Sequence, residues 1–111
     1  MSINTRLHIA SIDVWPVDVA LSDPFVISRG AVSTAELAFV RVRLAGGGEG
    51  FGEIAPFTAL TGETRAGSVA AARTLASPLA GESCADWESI AVRMREAAPS
   101  QPAARCGIEC A

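Results

Sequence analysis

Ala35-Glu36-Leu37-Ala38-Phe39-Val40-Arg41-Val42-Arg43-Leu44, then Ala45-Gly46-Gly47-Gly48, then Glu49-Gly50-Phe51-Gly52-Glu53-Ile54: this run decides the fold. Ala38, Val40, Val42 and Leu44 alternate strictly with Phe39, Arg41 and Arg43, the period of a strand with one covered face. The three glycines give the positive-φ freedom that a tight reversal needs, so residues 49–54 return as an antiparallel partner. They do not make a nucleotide loop. Phe51 stands where G-x-G-x-x-G needs its third glycine, and these glycines join two strands rather than a strand and a helix.

Upstream, Ile12 and Val14 give way to Val17, Val19 and Leu21, a change of phase near Trp15-Pro16. Proline donates nothing to a sheet ladder, so this stretch predicts an edge strand with a bulge at Pro16. Ser22-Asp23-Pro24 is a turn signal, and residues 22–33 read as an apolar loop. The result is a three-stranded antiparallel meander with one face to cover.

Downstream the sequence supplies the cover. Thr61 or Thr64 can cap a helix running to about Ala76, which Ser77-Pro78 ends. A second helix starts between Ser83 and Asp86, with Trp87, Ile90, Ala91 and Met94 as a buried stripe. A third follows with Ser100 as N-cap and Pro102 in its first turn, and it places Ala103, Cys106, Gly107, Cys110 and Ala111 on one face of small side chains. The fold class is therefore α+β, a meander followed by a small helical bundle. No C-cap glycine or polar tail follows this apolar face, so the polypeptide is expected to continue past Ala111.

Composition narrows the function. The chain has 111 residues and 50% hydrophobic content, enough for the core of one domain. Its nine basic residues are all arginines, scattered from Arg6 to Arg105, and the net charge is −3, so no basic stripe exists to draw nucleic acid. No apolar run approaches the ~20 residues of a membrane span, and the N-terminus lacks a signal-peptide pattern, which makes the cytoplasm the expected compartment. Cys84, Cys106 and Cys110, an odd number clustered late, read as reduced, buried thiols. Cys106 and Cys110 share a helix face and would give two metal donors, but a zinc site needs about four. With one histidine, His8, and no G-x-S-x-G, nucleophilic catalysis within these residues is not expected. Glu53 ends a strand, and Glu63 stands at a helix start where its charge suits the macrodipole.

The two connections that leave one end of the meander are the candidate site. Phe25, Ile27, Ile54, Phe57 and Leu60 would form apolar walls, Thr58 would add a polar contact, and Arg29 would pair with an anionic substrate group. Ordinary loop packing with a solvated arginine is the competing reading.

In order along the chain, Pro24-Phe25, Thr34-Ala35-Glu36 before a Val-Arg-Val strand, Gly50-Phe51-Gly52-Glu53, Pro56, Thr61-Gly62-Glu63-Thr64 and Ala104-Arg105-Cys106-Gly107-Ile108-Glu109-Cys110-Ala111 resemble the N-terminal capping domain of the enolase superfamily. The similarity is to its mandelate racemase and muconate lactonizing enzyme group, particularly dipeptide epimerases and N-acylamino acid racemases, and runs from about Arg6 onward. It implies that residues 1–111 are a capping domain cut within its last helix. The parent would add a modified (β/α) barrel as the domain's own C-terminal partner and would be a homo-oligomer. That barrel would bind Mg2+ and abstract a proton α to a carboxylate, making the parent a racemase, epimerase or cycloisomerase and this chain alone inactive. The family's specificity loops correspond to Phe25–Gly30 and Ile54–Leu60, and its loop arginine falls at Gly30, beside Arg29. The alternative is a free-standing α+β binding module that holds a small carboxylate without chemistry.

Overall fold

The computed structural model describes residues 3–27, 30–56 and 58–111, with the backbone alone for residues 3, 4, 21–27, 30–33, 59 and 60. A short helix, α1 (Ile3–Arg6), leads into β1 (Ile9–Ile27), β2 (Gly30–Leu44) and β3 (Glu49–Ile54), which form one antiparallel sheet in the order β1-β2-β3. A helical turn, α2 (Thr58–Thr61), precedes α3 (Arg65–Ala76), α4 (Trp87–Ala97) and α5 (Pro102–Cys110). Single 3-10 turns at Ser77–Leu79 and Cys84–Asp86 separate α3 from α4.

The alternation in β2 is realised as read. Ala38, Val40 and Val42 are buried beneath the helices, while Phe39 and Arg41 face the other way, where Phe39 meets Trp15 edge-on at 6.1 Å. At the glycine turn the Leu44 amide donates to the Gly48 carbonyl at 2.8 Å, and Gly47 takes a φ of 102° that a side chain would oppose. β1 is an edge strand, as Pro16 requires, but Pro16 pairs in register with Ala38 within an unbroken run from Ser11 to Ala20. The bulges lie elsewhere. Ala10 is the extra residue between the pairs Ile9↔Leu44 and Ser11↔Arg43, and residues 21–24 of β1 stand against residue 33 alone between Ala20↔Thr34 and Phe25↔Val32. Proline on an edge leaves no central hydrogen bond unmade, so the ladder has no reason to break there.

The same pairing corrects the loop read at residues 22–33 for its described part, residues 22–27 and 30–33. Phe25↔Val32, Val26↔Ala31 and Ile27↔Gly30 continue the ladder, so Ser22-Asp23-Pro24 is a bulge in a long hairpin rather than a turn. β-branched residues on both arms favour extension, and a proline at a bulge is compatible with it. β3 stops level with Ala38, eight residues short of Gly30, so the hairpin overhangs the third strand by about 26 Å at the usual rise per residue.

α3 starts where Thr64 caps it, its hydroxyl oxygen accepting from the Gly67 amide at 3.1 Å. Two arginines tie this helix to β1. Arg73 donates to the Val14 carbonyl at 3.0 Å, and Arg65 reaches the Val17 carbonyl and the Asp18 carboxylate. Val69, Ala72 and Leu75 join Ile90 and Met94 of α4 and Ala104 and Ile108 of α5 in one core with the inner face of the sheet.

Two expectations about the helices change. Trp87 is 65% exposed: Ile90 and Met94 carry the buried stripe, and Trp87, at the first position of α4, lies at its edge with no further layer over it. The N-cap of α5 is Gln101 rather than Ser100, and its side chain caps nothing. The Glu63 carboxylate does so instead, accepting from the Ala103 amide at 3.0 Å, so this charge complements the start of α5 from the preceding connection. His8 has a structural place, its backbone bridging to Ser83 and accepting from the Ala45 amide.

Candidate functional site

The β1–β2 ladder ends at the pair Ile27↔Gly30, β2 and β3 turn at the opposite end of the sheet, and β3 therefore finishes towards the Ile27↔Gly30 end. The tip and the segment from residue 55 onward thus share one end of the sheet. The backbone brings the two segments singled out in the sequence to the same side of the molecule.

The individual residues divide into three groups. Arg29 and Phe57 lie outside the described residues, and so do the side chains of Phe25, Ile27 and Leu60, although Phe25 and Ile27 take their places in the ladder and Leu60 its place in α2. Thr58 is exposed and its hydroxyl donates to the Glu63 carbonyl at 2.5 Å, which ties the start of α2 to the connection that follows it. A hydroxyl committed as donor still offers acceptor lone pairs. Ile54 goes to the core instead of a loop wall. It is fully buried, and a Cβ built on Gly107 would come within 2.4 Å of its Cγ1. As the last residue of β3 on the inward face, it lies under α5 and fixes where the following connection begins.

What sets the height of that connection is the seat of α5 on β3, which sequence reasoning did not single out. A Cβ at Gly52 would lie 1.9 Å from the Gly107 carbonyl oxygen, and one at Gly50 would lie 2.0 Å from that of Ala111. Helix backbone rests directly on strand backbone. The available signal was the Gly50-x-Gly52 spacing on one strand face together with the small residues of α5.

A second feature occupies the other end. A groove of about 490 Å³ opens between the sheet, α4 and α5 near the β2–β3 turn, with Ile9, Val42, Leu44, Ile90, Met94 and Ile108 among its walls. Its lining is apolar. Glu49 and Glu109 are the charged residues there, and Glu49 is already paired with Arg43 at 3.1 Å. A site that orients a substrate needs converging polar groups, and the polar side chains lining this groove are few: Glu49, Glu109, the Cys84 thiol and the Trp87 indole.

The cysteines are not buried as expected. Cys106 and Cys110 are exposed and Cys84 is half-buried, because Ala104, Gly107 and Ile108 form the inward face of α5. The Cys106 thiol is pushed above the ordinary range, first by its hydrogen bond with Cys110, then by partial burial and the negative groups beside it, Cys110 and Glu109. Among the described residues no group of three or more His, Cys, Asp or Glu could hold a metal ion, and no helix is long and apolar enough to cross a membrane.

Comparison with known proteins follows the geometry. Residues 9–111 match the family model for the mandelate racemase / muconate lactonizing enzyme N-terminal domain. The chain is 40% identical over 103 residues to an aromatic dipeptide epimerase from Herpetosiphon aurantiacus, a match over 93% of this chain and 29% of that protein. It superposes on a mandelate racemase/muconate lactonizing protein structure from the same organism with a TM-score of 0.87 and 39% identity, over 97% of this chain and 30% of the other. A dipeptide epimerase from Cytophaga hutchinsonii, solved with Mg and the dipeptide D-Ala-L-Val, gives a TM-score of 0.75 and 32% identity over 80% of this chain and 24% of that one. The chain thus spans less than a third of the length of these relatives. On the match along residues 9–111 and the shared fold, the chain belongs to the N-terminal domain family of the mandelate racemase and muconate lactonizing enzymes, in the enolase superfamily.

Proposed function

We propose that residues 1–111 act as the substrate-facing cap of a larger Mg2+-dependent epimerase whose substrates are dipeptides or similar small carboxylates. The observation that carries this reading is the shared end of the sheet. A hairpin overhanging β3 by about 26 Å and the connection after Ile54 leave the sheet at that same end, from which both would reach a ligand held by another domain.

In this role Phe25, Ile27, Phe57 and Leu60 supply apolar contact to a substrate side chain, and Arg29 pairs with a carboxylate. Thr58, its proton committed to Glu63, accepts a hydrogen bond from an amide or ammonium group. Ile54, Gly52 and Gly107 position this end without touching substrate. The residues present do not fit a magnesium ion, since no cluster of three ligating groups occurs among those described. Metal and proton-abstracting groups are therefore assigned to a second domain, a barrel in our reading, and no step of the reaction is routed through this chain. What the cap contributes is selection and exclusion of water.

The test is a graft. Residues 22–33 and 54–63 replace their counterparts in the Herpetosiphon aurantiacus epimerase, and kcat/KM is measured over a dipeptide panel. The expected result is an active enzyme whose preference between two dipeptides moves about 10-fold or more, the worth of one or two apolar contacts. An active graft with an unchanged substrate ranking overturns the reading. In deuterated water the 111-residue chain with Mg2+ should exchange no α-proton, and exchange would show that the chemistry lies within it.

A further inference from the structure

The cysteine pair on the outer face of α5 is used neither by the core nor by the proposed cap. Cys106 and Cys110 are both exposed, one helical turn apart, with their Sγ atoms 4.0 Å from each other. Two exposed thiols at this spacing have two obvious fates, closure to a disulfide or chelation of a thiophilic ion, and geometry decides between them. Residues at i and i+4 of a helix hold their Cβ atoms about 5–6 Å apart, whereas a disulfide needs roughly 3.5–4.5 Å, so oxidation would have to unwind the turn. Chelation needs no such movement. With metal–sulfur bonds of about 2.3 Å, sulfurs 4.0 Å apart subtend an angle of about 120° at the ion.

That angle and the donor count select the ion. Among the described residues no third His, Cys, Asp or Glu joins the pair, so an ion demanding four protein donors, such as structural zinc, is poorly served. A soft ion content with three ligands is better served, since the pair supplies two of them at about the trigonal angle and a solvent or added small-molecule ligand can supply the third, and thiolate softness favours monovalent copper over harder competitors. We infer that Cys106 and Cys110 form a bidentate dithiolate site for a low-coordinate soft d10 metal ion of the Cu+ class. On binding, two S–H bonds break, two metal–sulfur bonds form and two protons leave to solvent. The metal keeps its oxidation state. The hydrogen bond already linking the two thiols shows that their rotamers converge without the ion. This inference does not depend on the cap function.

The test is an anaerobic titration of the full chain with Cu+, held reduced by ascorbate and competed with a colorimetric Cu+ chelator. One ion should bind per chain. Cys106→Ser and Cys110→Ser should each weaken binding about 100-fold or more, because either change removes the intramolecular second donor. Cys84→Ser should leave binding unchanged, and Zn2+ should bind more weakly than Cu+. Pulsed alkylation of the unmutated chain gives a reading independent of variant folding: Cu+ should protect Cys106 and Cys110 while Cys84 reacts at its original rate. Equal binding by the Cys106→Ser and Cys110→Ser variants, an equal loss in Cys84→Ser, tighter binding of Zn2+, or protection that spreads to Cys84 would each overturn the assignment.

Discussion

Gly52→Ala is the sharpest probe of the α5–β3 seat. The added Cβ would lie 1.9 Å from the Gly107 carbonyl oxygen, and real Cβ contacts stay beyond 3.0 Å, so the helix must lift by at least the difference of about 1.1 Å. The obstacle is backbone, and no rotamer relieves it. A radial gap of 0.5–1 Å forfeits about a quarter to a half of each dispersion contact. A buried side chain such as Ile108 makes some 40–60 contacts worth about 0.1–0.2 kcal/mol each, so the loss comes to roughly 2–4 kcal/mol. For a domain of this size that lowers Tm by roughly 10–20 °C. Urea denaturation followed by far-UV circular dichroism measures it, with Gly48→Ala as control. At Gly48 the new Cβ meets only Leu44 side-chain atoms at 3.4 Å and beyond, at a negative φ, so the expected change is within about 0.5 kcal/mol. A Gly52→Ala variant within about 1 kcal/mol of that control would refute the argument.

Three further outcomes follow from the same geometry. Gly107→Ala drives a Cβ to 2.4 Å from Ile54 Cγ1, whereas Ile54→Ala removes that atom, so the double variant should be more stable than the sum of the single losses by about 1 kcal/mol or more in a double-mutant cycle. Glu63→Ala takes the acceptor from the Ala103 amide at the start of α5 and should cost about 1 kcal/mol in the same assay, with Glu63→Gln recovering part of it. Cys110→Ala removes the hydrogen bond and the charge that raise Cys106, so the Cys106 pKa falls and more thiolate is present at any pH below it. Iodoacetamide should then alkylate Cys106 faster at pH 8 than in the unmutated chain, and an unchanged rate would contradict the assigned cause.

The meander and the helical cover were legible because their signals are local. Strict alternation from Ala38 to Leu44, a glycine triplet and Thr64 before α3 each name a conformation without outside help. Readings that failed depended on what lies across the fold. Whether residues 22–33 are loop or ladder turns on whether two apolar arms pair, which no window along the chain can show. Trp87 and the cysteines sit at helical spacings that fit a buried stripe, but a stripe has edges, and the packing partner decides which members lie inside. At the candidate site, topology put both segments at one end of the sheet, and the recruitment of Ile54 into the core followed from the bare glycine strand above which α5 sits.

The overhanging hairpin also behaves as a telescoping arm. Because side chains alternate with period two, adding or deleting two residues on each strand moves the tip by about 6.6 Å and leaves every remaining residue on its original face. β3 ends level with Ala38, so such a change would require no third strand to follow it. Reach could thus be tuned in discrete steps while the layer beneath keeps its register, a route by which related chains can vary what they enclose without rebuilding what supports it.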